Sequence, residues 1–366
     1  MKVTIVLGTR PQIIKSAPVY HALAKAGFDC DIVNTGQHFD YEMNRIFFNE
    51  LSLPDPSADL NVGPGRPSEQ VSAMVAGLGR VFDAAKPDLV ISPGDTNSAL
   101  SAGIAAVKSG VQLAHLESGC RSNDIGMAEE VNRRILDHMS RLLLCPTPGC
   151  VKNVKAEKVM AEAVVNVGDT MYDSLLKFIP SLEMIDAASK YGLEENGYAF
   201  MTLHRAEAVD DPGSLRSVLE GIGSLGIPVA FSVHPRTRER MKEFRISPAP
   251  NITLLEPLPY VEALSMASRS KFVVTDSGGL QKEAYWLGKV VLIPRDGTEW
   301  GEIVEAGAAF LVGRRAEGIR QGARKLSKVK ASAFKATKRI FGRGNASENV
   351  VAAASRFLGG HGRGGS

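Results

Sequence analysis

The chain has 366 residues, which exceeds the length at which one hydrophobic core usually keeps growing, so two domains are expected. Hydrophobic residues make up 44% of it and charged residues 23%, a balance that is typical of folded proteins and excludes wholesale disorder. The net charge is only +3, and no long run of like charge could follow a nucleic-acid backbone, so no nucleic-acid partner is expected.

Cysteine spacing and the length of the apolar runs predict the compartment. The cysteines show no CxxC spacing, which favours free thiols in a reducing compartment and argues against structural zinc. They are Cys30, Cys120, Cys145 and Cys150. The opening apolar run, 3–7, is too short for a signal sequence, and no segment reaches about 18 apolar residues. We therefore predict a cytoplasmic protein with no membrane partner.

Short β-branched runs alternate with longer amphipathic stretches, a pattern typical of parallel sheets covered by helices on both faces. In the first half, strands are predicted at 2–7, 29–34, 88–92, 112–116, 141–145 and 164–167. In the second half, they are predicted at 198–203, 228–233, 252–255, 271–275 and 290–293. The sequence therefore predicts the α/β class, with two doubly wound, Rossmann-like domains.

A polar segment, 179–196, is the predicted boundary between the domains. The first domain is predicted to span 1–180 and the second 197–340. Two glycines then interrupt the pattern, and a last helix is predicted at 346–358. The remaining residues, 359–366, are rich in glycine and are predicted to be disordered.

Ligands of open α/β sheets bind beyond the carboxyl ends of the strands, so polar residues at those positions are candidate site residues. The first strand leads into Gly8 and then into Arg10 and Pro11, which suit the start of a helix, with Lys15 a turn later. Such a helix N-terminus beside two cations favours phosphate binding. The alternative is a plain strand-to-helix turn with surface charges.

A second candidate phosphate loop is Ser277-Gly278-Gly279, where the glycines allow the backbone to approach phosphate oxygens closely. Glu283 follows one helical turn later, a position from which a carboxylate could reach a ribose. The alternative for the loop is a tight turn that caps a helix.

Two carboxylates, Asp95 and Glu117, follow strands that are consecutive along the chain, so both are expected to face one crevice. In a closed cleft, paired carboxylates can have their pKa values pushed apart, which gives one acid and one base. The alternative for Asp95 is a helix N-cap.

Three further candidates have simpler alternatives. Glu129 and Arg133 share a helical face at the i,i+4 spacing, and an exposed ion pair would explain them. His204 follows the first strand of the second domain and could donate to a phosphate, although histidine at such a position is often structural.

At these residues the sequence closely resembles the non-hydrolysing UDP-N-acetylglucosamine 2-epimerases. The matching motifs, in order, are Gly8-Thr9-Arg10-Pro11 with Lys15, Thr35-Gly36-Gln37-His38, Pro93-Gly94-Asp95-Thr96-Asn97, His115-Leu116-Glu117-Ser118-Gly119 with Arg121, Glu129-Glu130-Val131-Asn132-Arg133, Val167-Gly168-Asp169-Thr170, Leu203-His204-Arg205-Ala206-Glu207, Thr275-Asp276-Ser277-Gly278-Gly279 with Gln281 and Glu283, Thr298-Glu299, and Gly342-Arg343-Gly344-Asn345-Ala346-Ser347. Single motifs are weak, but ten in register across nearly the whole chain are specific.

The resemblance implies the glycosyltransferase-B architecture, two domains with a cleft between them, and epimerisation at C-2 of a UDP-N-acetylhexosamine. It implies that Asp95, Glu117 and Glu129 are catalytic and that His204 stabilises the departing diphosphate. The residues implied to hold phosphates, sugar or ribose are Arg10, Lys15, Arg133, Ser277, Gly278, Gly279 and Glu283. It also implies no NAD and no metal, a UDP-sugar as the bound partner, a homodimer, and a C-terminal helix that crosses back onto the first domain.

The sequence departs from the family pattern at several positions. Ser118 and Cys120 stand where alanine and leucine are usual, and Ala128 stands where proline is usual. Trp300-Gly301 replaces Arg-Pro and, with Lys282, resembles archaeal members and epimerases of diacetamido-uronic acids. The alternatives are therefore a UDP-diacetamido-uronic acid 2-epimerase, a UDP-sugar transferase of the same architecture, a hydrolysing relative, and a non-catalytic UDP-sugar-binding protein.

Overall fold

The computed structural model of the chain describes residues 1–37 and 41–361. They form two compact units, one made of Met1–Leu176 with the chain from Lys338 onward, and the other of Lys177–Thr337. Within the described ranges, no helix is both long and apolar enough to cross a membrane.

The first unit is built on a parallel sheet of seven strands in the order β3-β2-β1-β4-β5-β6-β7. The strands are β1 (Lys2–Leu7), β2 (Asp29–Asn34), β3 (Ala58–Asp59), β4 (Leu89–Pro93), β5 (Gln112–Leu116), β6 (Leu142–Cys145) and β7 (Ala163–Asn166). The central strands are almost continuously apolar and buried, because helices cover both faces of the sheet.

The helices of this unit are α1 (Arg10–Lys25), α2 (Tyr41–Glu50), α3 (Pro67–Ala85), α4 (Asn97–Lys108), α5 (Ala128–Met139), α6 (Pro148–Ala156) and α7 (Thr170–Met184). Two more follow at the end of the chain, α15 (Thr337–Ile340) and α16 (Ala346–His361). Helix α16 packs against α1 and buries Val350 and Ala354. It continues to His361, farther than the predicted end at 358, and residues 362–366 lie outside the described ranges.

The two units divide within α7, at Leu176 and Lys177, and not in the predicted segment 179–196. The first residues of that segment, up to Met184, continue the helix. Leu182 is buried there, so the polar average of the segment hid an apolar face. A change in composition therefore marked the neighbourhood of the boundary and missed its position.

The second unit has a parallel six-stranded sheet in the order β10-β9-β8-β11-β12-β13. Its strands are β8 (Ala199–Thr202), β9 (Val229–Ser232), β10 (Ile252–Leu255), β11 (Phe272–Thr275), β12 (Val291–Ile293) and β13 (Ala309–Leu311). Its helices are α8 (Ala206–Val209), α9 (Pro212–Gly223), α10 (Pro235–Glu243), α11 (Tyr260–Arg269), α12 (Gly278–Trp286), α13 (Gly301–Glu305) and α14 (Ala316–Lys325), with short 3₁₀ turns at Ser189–Tyr191, Leu326–Lys328 and Ala331–Ala336.

Every predicted strand is present, with its ends displaced by at most one residue. Strands β3 and β13 were not predicted, because runs of two and three residues are too short to show alternation. The α/β class and the two doubly wound sheets are confirmed.

Both sheets reverse their strand order at the same relative position, which fixes where ligands are expected. In the first sheet β1 lies between β2 and β4, and in the second β8 lies between β9 and β11. Such a switch point leaves a crevice beyond the carboxyl ends of the two central strands. The segments after β1 and β4, and those after β8 and β11, are therefore the places to examine.

Candidate active site

The carboxylate of Glu117 lies at the end of β5 and contacts a buried lysine. Glu117 has a φ of +71°, a left-handed conformation that non-glycine residues rarely adopt. Its N–H donates to the carbonyl of Leu144 at 3.0 Å, which holds the turn. One carboxylate oxygen contacts Nζ of Lys15 in α1, and both side chains are largely shielded from solvent. Lys15, predicted to bind phosphate, is therefore paired with a predicted catalytic carboxylate.

The carboxylate of Asp95 follows β4, and its side chain is 31% exposed. One oxygen contacts the buried guanidinium of Arg133 in α5, while the backbone carbonyl of Asp95 accepts from Nδ2 of Asn132 at 2.9 Å. The alternative that Asp95 caps α4 is wrong, because Thr96 occupies that position. Its Oγ1 accepts from the N–H of Ala99 at 3.2 Å.

Asp95 and Glu117 emerge at the same edge of the sheet. Strands β4 and β5 are hydrogen-bonded neighbours, with Pro93 opposite Leu116 at their ends. The prediction that the two carboxylates follow consecutive strands is confirmed, and those strands are also neighbours in the sheet. Each of them contacts a buried cation, so the unit concentrates two charge pairs at the strand ends.

The two glutamates at the start of α5 differ in burial. Glu130 is fully buried and accepts from the N–H of Ser122 at 2.9 Å, from Arg133 at 3.2 Å and from Arg134 at 2.9 Å. Glu129 is only partly buried, in the first turn of the helix. Glu130 is therefore committed to internal contacts, whereas Glu129 has access to solvent.

A buried pair that the sequence did not single out joins the loops behind these carboxylates. Nδ1 of His115 lies 2.7 Å from Asp137, and Nε2 of the same ring lies 2.8 Å from the carbonyl oxygen of Gly94. Asp137 also accepts from the N–H of Gly119 at 3.2 Å and pairs with Arg121 at 2.7 Å. Burial alone would raise the pKa of Asp137, but its bonds to His115 and Arg121 outweigh burial and lower that pKa.

The sequence carried only a weak signal for this pair. His115 belongs to a matching motif and lies between apolar residues of its strand, and Asp137 lies in the last turns of a helix. Twenty-two positions separate them, so their contact depends on how α5 packs against β5. Because they hold Gly94 and Gly119, they fix the backbone on either side of the two candidate catalytic residues.

Arg10 begins α1, and its guanidinium lies 4.6 Å from the centre of the Phe47 ring. The N–H of Gly8, just before this helix, is used internally and donates to Oε1 of Gln12 at 3.0 Å. Gly8 is required because a Cβ there would lie 2.0 Å from Oγ of Ser98. The loop is therefore tightly packed, and Arg10 is its candidate anion ligand.

The motif 35–38 supports this loop from the neighbouring strand. Oγ1 of Thr35 lies 2.7 Å from Oγ of Ser98, and Oε1 of Gln37 accepts from the N–H of Ser98 at 2.8 Å. His38 lies outside the described residues. The described part of the motif anchors the start of α4, which carries Asn97 and Ser98.

In the second unit, Ser277 occupies the N-cap of α12 and Gly278 begins the helix. The N–H of Ser277 donates to Oγ1 of Thr275 at 3.0 Å. No acceptor within the described residues takes the N–H of Gly278 or Gly279. The first turn of a helix leaves such donors available, and the helix dipole favours an anion beside them.

His204 follows β8, on the other side of the same switch point, and its side chain is 36% exposed. Its Nδ1 lies 2.9 Å from the buried carboxylate of Asp276, the residue that precedes Ser277. The ring of His234, which caps α10, lies beside it with 5.6 Å between ring centres. The predicted phosphate ligands His204 and Ser277 are thus brought to adjacent strand ends.

Glu283 is buried in α12, and its Oε1 accepts from the hydroxyl of Tyr260 at 2.7 Å. That bond holds the carboxylate predicted to bind ribose. Tyr260 begins α11, so the position of Glu283 depends on the packing of α11 against α12. The assignment of Glu283 to a ribose remains a prediction.

The segment around Arg295 accounts for another of the matching motifs. Arg295 is buried between Glu207 at 2.9 Å and Glu299 at 3.0 Å. Oγ1 of Thr298 donates to Oε1 of Gln281 at 2.6 Å and so ties this segment to α12. Burial works against the charge of Arg295, but the two carboxylates prevail and raise its pKa.

Two of the departures from the family pattern meet in this segment. Nζ of the buried Lys282 lies 3.8 Å from the centre of the Trp300 ring, a cation–π contact. A Cβ added at Gly278 would lie 3.2 Å from Nε1 of Trp300, so the indole stands directly beside the glycine loop. Lys282 and Trp300 thus form one unit next to the candidate phosphate site.

Taken by unit, the candidate residues offer different chemistry. The first unit brings carboxylates, which can accept or donate protons, into contact with cations. The second unit brings a helix N-terminus, a serine hydroxyl and a histidine together, which suits an anionic group. Across residues 1–37 and 41–361, no three His, Cys, Asp or Glu side chains are arranged to hold a metal ion.

The model of the UDP-N-acetylglucosamine 2-epimerase family matches residues 21–355 of the chain. The UDP-N-acetylglucosamine 2-epimerase of Methanocaldococcus jannaschii is 37% identical over 96% of this chain and 98% of its own length. The UDP-2,3-diacetamido-2,3-dideoxy-D-glucuronate 2-epimerase of Pseudomonas aeruginosa is 40% identical over 88% of this chain and 92% of its own length.

A solved structure gives the same result. The Methanocaldococcus jannaschii UDP-GlcNAc 2-epimerase in complex with UDP-GlcNAc and UDP superposes with a TM-score of 0.91 and 36% identity, over 97% of this chain and 100% of that one. Sequence and fold agree across nearly the full length. The chain therefore belongs to the UDP-N-acetylglucosamine 2-epimerase family and is an isomerase of the epimerase type.

Proposed function

We propose that the chain interconverts UDP-N-acetylglucosamine and UDP-N-acetylmannosamine by reversible epimerisation at C-2. The observation that carries this proposal is the pair of carboxylates, Asp95 and Glu117, at the ends of adjacent strands, each in contact with a buried cation. The complex of the Methanocaldococcus jannaschii enzyme with UDP-GlcNAc and UDP supports the choice of substrate.

The proposed reaction proceeds by elimination and re-addition, because the C-2 proton alone is only weakly acidic. A carboxylate takes that proton while the bond between C-1 and the diphosphate oxygen breaks. The electron pair of the C–H bond forms the double bond of a 2-acetamidoglucal, and UDP leaves with the electrons of the C–O bond. A second carboxyl group, in its protonated form, then gives its proton to C-2 from the opposite face and is left as a carboxylate, while UDP adds back to C-1.

Asp95, Glu117 and Glu129 are the proposed acid and base groups. Lys15 and Arg133 orient the first two through the contacts already described. Asp95 and Glu117 therefore have carboxylates held at strand ends. Positioned groups of this kind are what general acid–base catalysis requires. The proton leaves C-2 from one face and returns to the opposite face. Each face needs its own carboxyl group, so at least two of the three act in each turnover.

The residues of the second unit are the proposed diphosphate ligands. His204, Ser277 and the backbone N–H groups of Gly278 and Gly279 stabilise the charge that grows on the leaving oxygen. Arg10 is a further proposed phosphate ligand, and Glu283 is the proposed ligand of the ribose hydroxyls. No resident cofactor takes part in the proposed steps.

A second candidate substrate is a UDP-2,3-diacetamido-2,3-dideoxyhexuronate. The Pseudomonas aeruginosa relative that is named for such a substrate is 40% identical to this chain. Lys282 and Trp300, the departures that prompted this alternative, lie beside the glycine loop. The chemistry at C-2 is the same for both sugars, so the two candidates differ only in sugar recognition.

Proton NMR in heavy water tests the proposal. Purified protein receives UDP-N-acetylglucosamine alone in one sample and the diacetamido-uronate analogue in another. Epimer formation with deuterium at C-2 is expected, and product without deuterium would contradict proton exchange. Accumulation of free UDP with free N-acetylmannosamine would identify a hydrolysing enzyme, and no change without an added acceptor would favour a transferase. Asp95→Asn is the matched inactive control.

Assembly and location complete the proposal. A homodimer and a cytoplasmic enzyme are proposed, the first from family membership and the second from the cysteine usage of the sequence. Light scattering after gel filtration tests the dimer: a mass of twice 39.2 kDa is expected, and a single chain mass would contradict it.

A further inference from the structure

Asp276 is a fully buried carboxylate whose hydrogen bonds converge on one neighbouring turn. Its Oδ2 accepts from the backbone N–H of His204 at 2.7 Å and of Arg205 at 2.6 Å. Its Oδ1 lies 2.9 Å from Nδ1 of the His204 ring. A buried carboxylate is costly unless it is bonded in this way, so the geometry explains how the charge is tolerated.

The close contact at Nδ1 decides how the His204 ring can act. Because Nδ1 faces the buried carboxylate of Asp276, Nε2 is the nitrogen that remains for other partners. Within the described residues nothing is bonded to Nε2, and the side chain is 36% exposed. The charged or titratable neighbours of the pair are His234, beside the ring, and Arg205, whose guanidinium lies 3.9 Å from Glu299.

We propose that Asp276 is the positioning residue of His204: it holds the turn and the Nδ1 side of the ring so that Nε2 points outward, where Nε2–H can donate to an anionic oxygen of a nucleoside diphosphate. This inference rests on the proposed function, which places a diphosphate beside His204. It adds a role for Asp276, which touches no substrate itself and acts through the ring.

The position of Asp276 in the chain strengthens the inference. It ends the segment from β11 and directly precedes Ser277, the N-cap of α12. One side chain therefore fixes the turn after β8 while its own backbone leads into the glycine loop after β11. Because β8 and β11 are hydrogen-bonded neighbours, the two groups of anion donors are held in register. Burial would raise the pKa of Asp276, but the nearby His204 ring and the N–H groups of His204 and Arg205 outweigh burial and lower it.

Calorimetric titration with UDP tests the inference, using the full-length protein and four forms: wild type, Asp276→Asn, His204→Gln and the double variant. The amide oxygen of asparagine can still accept from the two backbone N–H groups. Asp276→Asn therefore removes mainly the charge and the contact of the carboxylate with Nδ1 of His204. Each single variant is expected to bind UDP about tenfold more weakly, in line with the loss of one charge-assisted hydrogen bond. The double variant is expected to be no more than about twofold weaker than His204→Gln.

The comparison of UDP with uridine, which lacks the diphosphate, supplies a readout that a purely structural role would not change. Asp276→Asn is expected to weaken UDP binding and to leave uridine binding unchanged, because the His204 ring is proposed to meet the diphosphate. The control is Asp211→Asn, the same change at an exposed helix cap of the same unit, where the carboxylate accepts from the N–H of Ser214. Its affinities for UDP and uridine should match those of the wild type.

Two results would overturn the inference. One concerns the loss of UDP affinity that Asp276→Asn causes. If that loss is as large in His204→Gln as in the wild type, Asp276 acts without the ring. The other is an equal loss of UDP and uridine affinity in Asp276→Asn, which would mean that the substitution disturbs the fold and not the diphosphate contact. If the wild type binds UDP but converts no UDP-sugar, the proposed function fails, while these binding measurements still decide the role of Asp276.

Discussion

Each unit contains a buried aspartate paired with a histidine, and the two pairs differ in how far the ring reaches solvent. His115 is fully buried, and both of its ring nitrogens are engaged, by Asp137 and by the carbonyl of Gly94. One ring nitrogen of His204 lies 2.9 Å from Asp276, and the side chain is partly exposed. The first pair, His115 and Asp137, is therefore called the closed pair. The second, His204 and Asp276, is called the open pair because it presents one ring nitrogen outward.

The difference teaches that solvent access, and not residue type, separates a supporting pair from a ligand-binding one. In the closed pair, every hydrogen bond holds backbone or side chains of the same unit, so its loss should appear in stability. In the open pair, one bonding position is left over, so its loss should appear mainly in ligand affinity. Both pairs stand behind the carboxyl ends of parallel strands, where small movements of a loop matter most.

The largest expected effect concerns the carboxylates that the closed pair supports. Asp95→Asn and Glu117→Gln should each lower kcat for epimerisation about 10³-fold, because they remove a proton-transfer group. UDP affinity should change by less than about threefold, since UDP is proposed to bind through other residues. Turnover by NMR and UDP binding by calorimetry check this. Equal losses in UDP affinity and turnover would contradict the assignment of proton transfer to these carboxylates and of UDP binding to other residues.

The next effect concerns the stability of the closed pair. Asp137→Ala should lower the free energy of unfolding by about 3 to 5 kcal/mol, because it leaves the buried His115 ring without its carboxylate and Arg121 with Glu157 as its remaining carboxylate partner. Urea unfolding measures the loss, and Asp137→Asn is the milder variant if the first does not fold. The matched change in the open pair, Asp276→Asn, should cost less. A larger cost there would contradict the distinction between the pairs.

A smaller effect appears in acid. The folded-state pKa values of Asp137 and Asp276 lie below the ordinary value of 3.8. Stability from a lowered pKa is fully present above the ordinary value and is lost as pH falls toward the folded value. The free energy of unfolding should therefore decline below about pH 4, and less steeply in Asp137→Asn and Asp276→Asn. Denaturant titrations at several values between about pH 3 and about pH 6 measure how steeply the free energy of unfolding changes with pH. Unchanged slopes would contradict the assignment.

The smallest expected effect separates Asp95 from its neighbour. Thr96→Ala should lower the free energy of unfolding by about 1 kcal/mol, because Thr96 is the N-cap of α4, while epimerisation should be nearly unchanged. Asp95→Asn should do the reverse. Thermal unfolding beside a turnover assay measures both, and a strong loss of turnover in Thr96→Ala would show that the cap and the catalytic position are coupled.

Local patterns determined the strands, the α/β class and the strand ends at which candidate residues lie. Hydrophobic runs bounded by glycine and polar residues are short-range features, so they survive without knowledge of packing. The same patterns placed Asp95 and Glu117 after consecutive strands, which is confirmed, and the alternative that Ser277 caps a helix is also confirmed. The motifs, read in register, identified the family.

Tertiary structure alone decided the partners of these residues. Lys15 reaches Glu117 across 102 positions, and His204 reaches Asp276 across about 70, so no local rule pairs them. The division of the units within α7 and the burial of Glu130 beside the more exposed Glu129 likewise depend on which helix faces pack. The sequence by itself supplied the chemical groups and their places at the strand ends. Packing decided which of them are closed off and which remain open to a ligand, because burial and long-range contact are properties of the assembled sheet and helices.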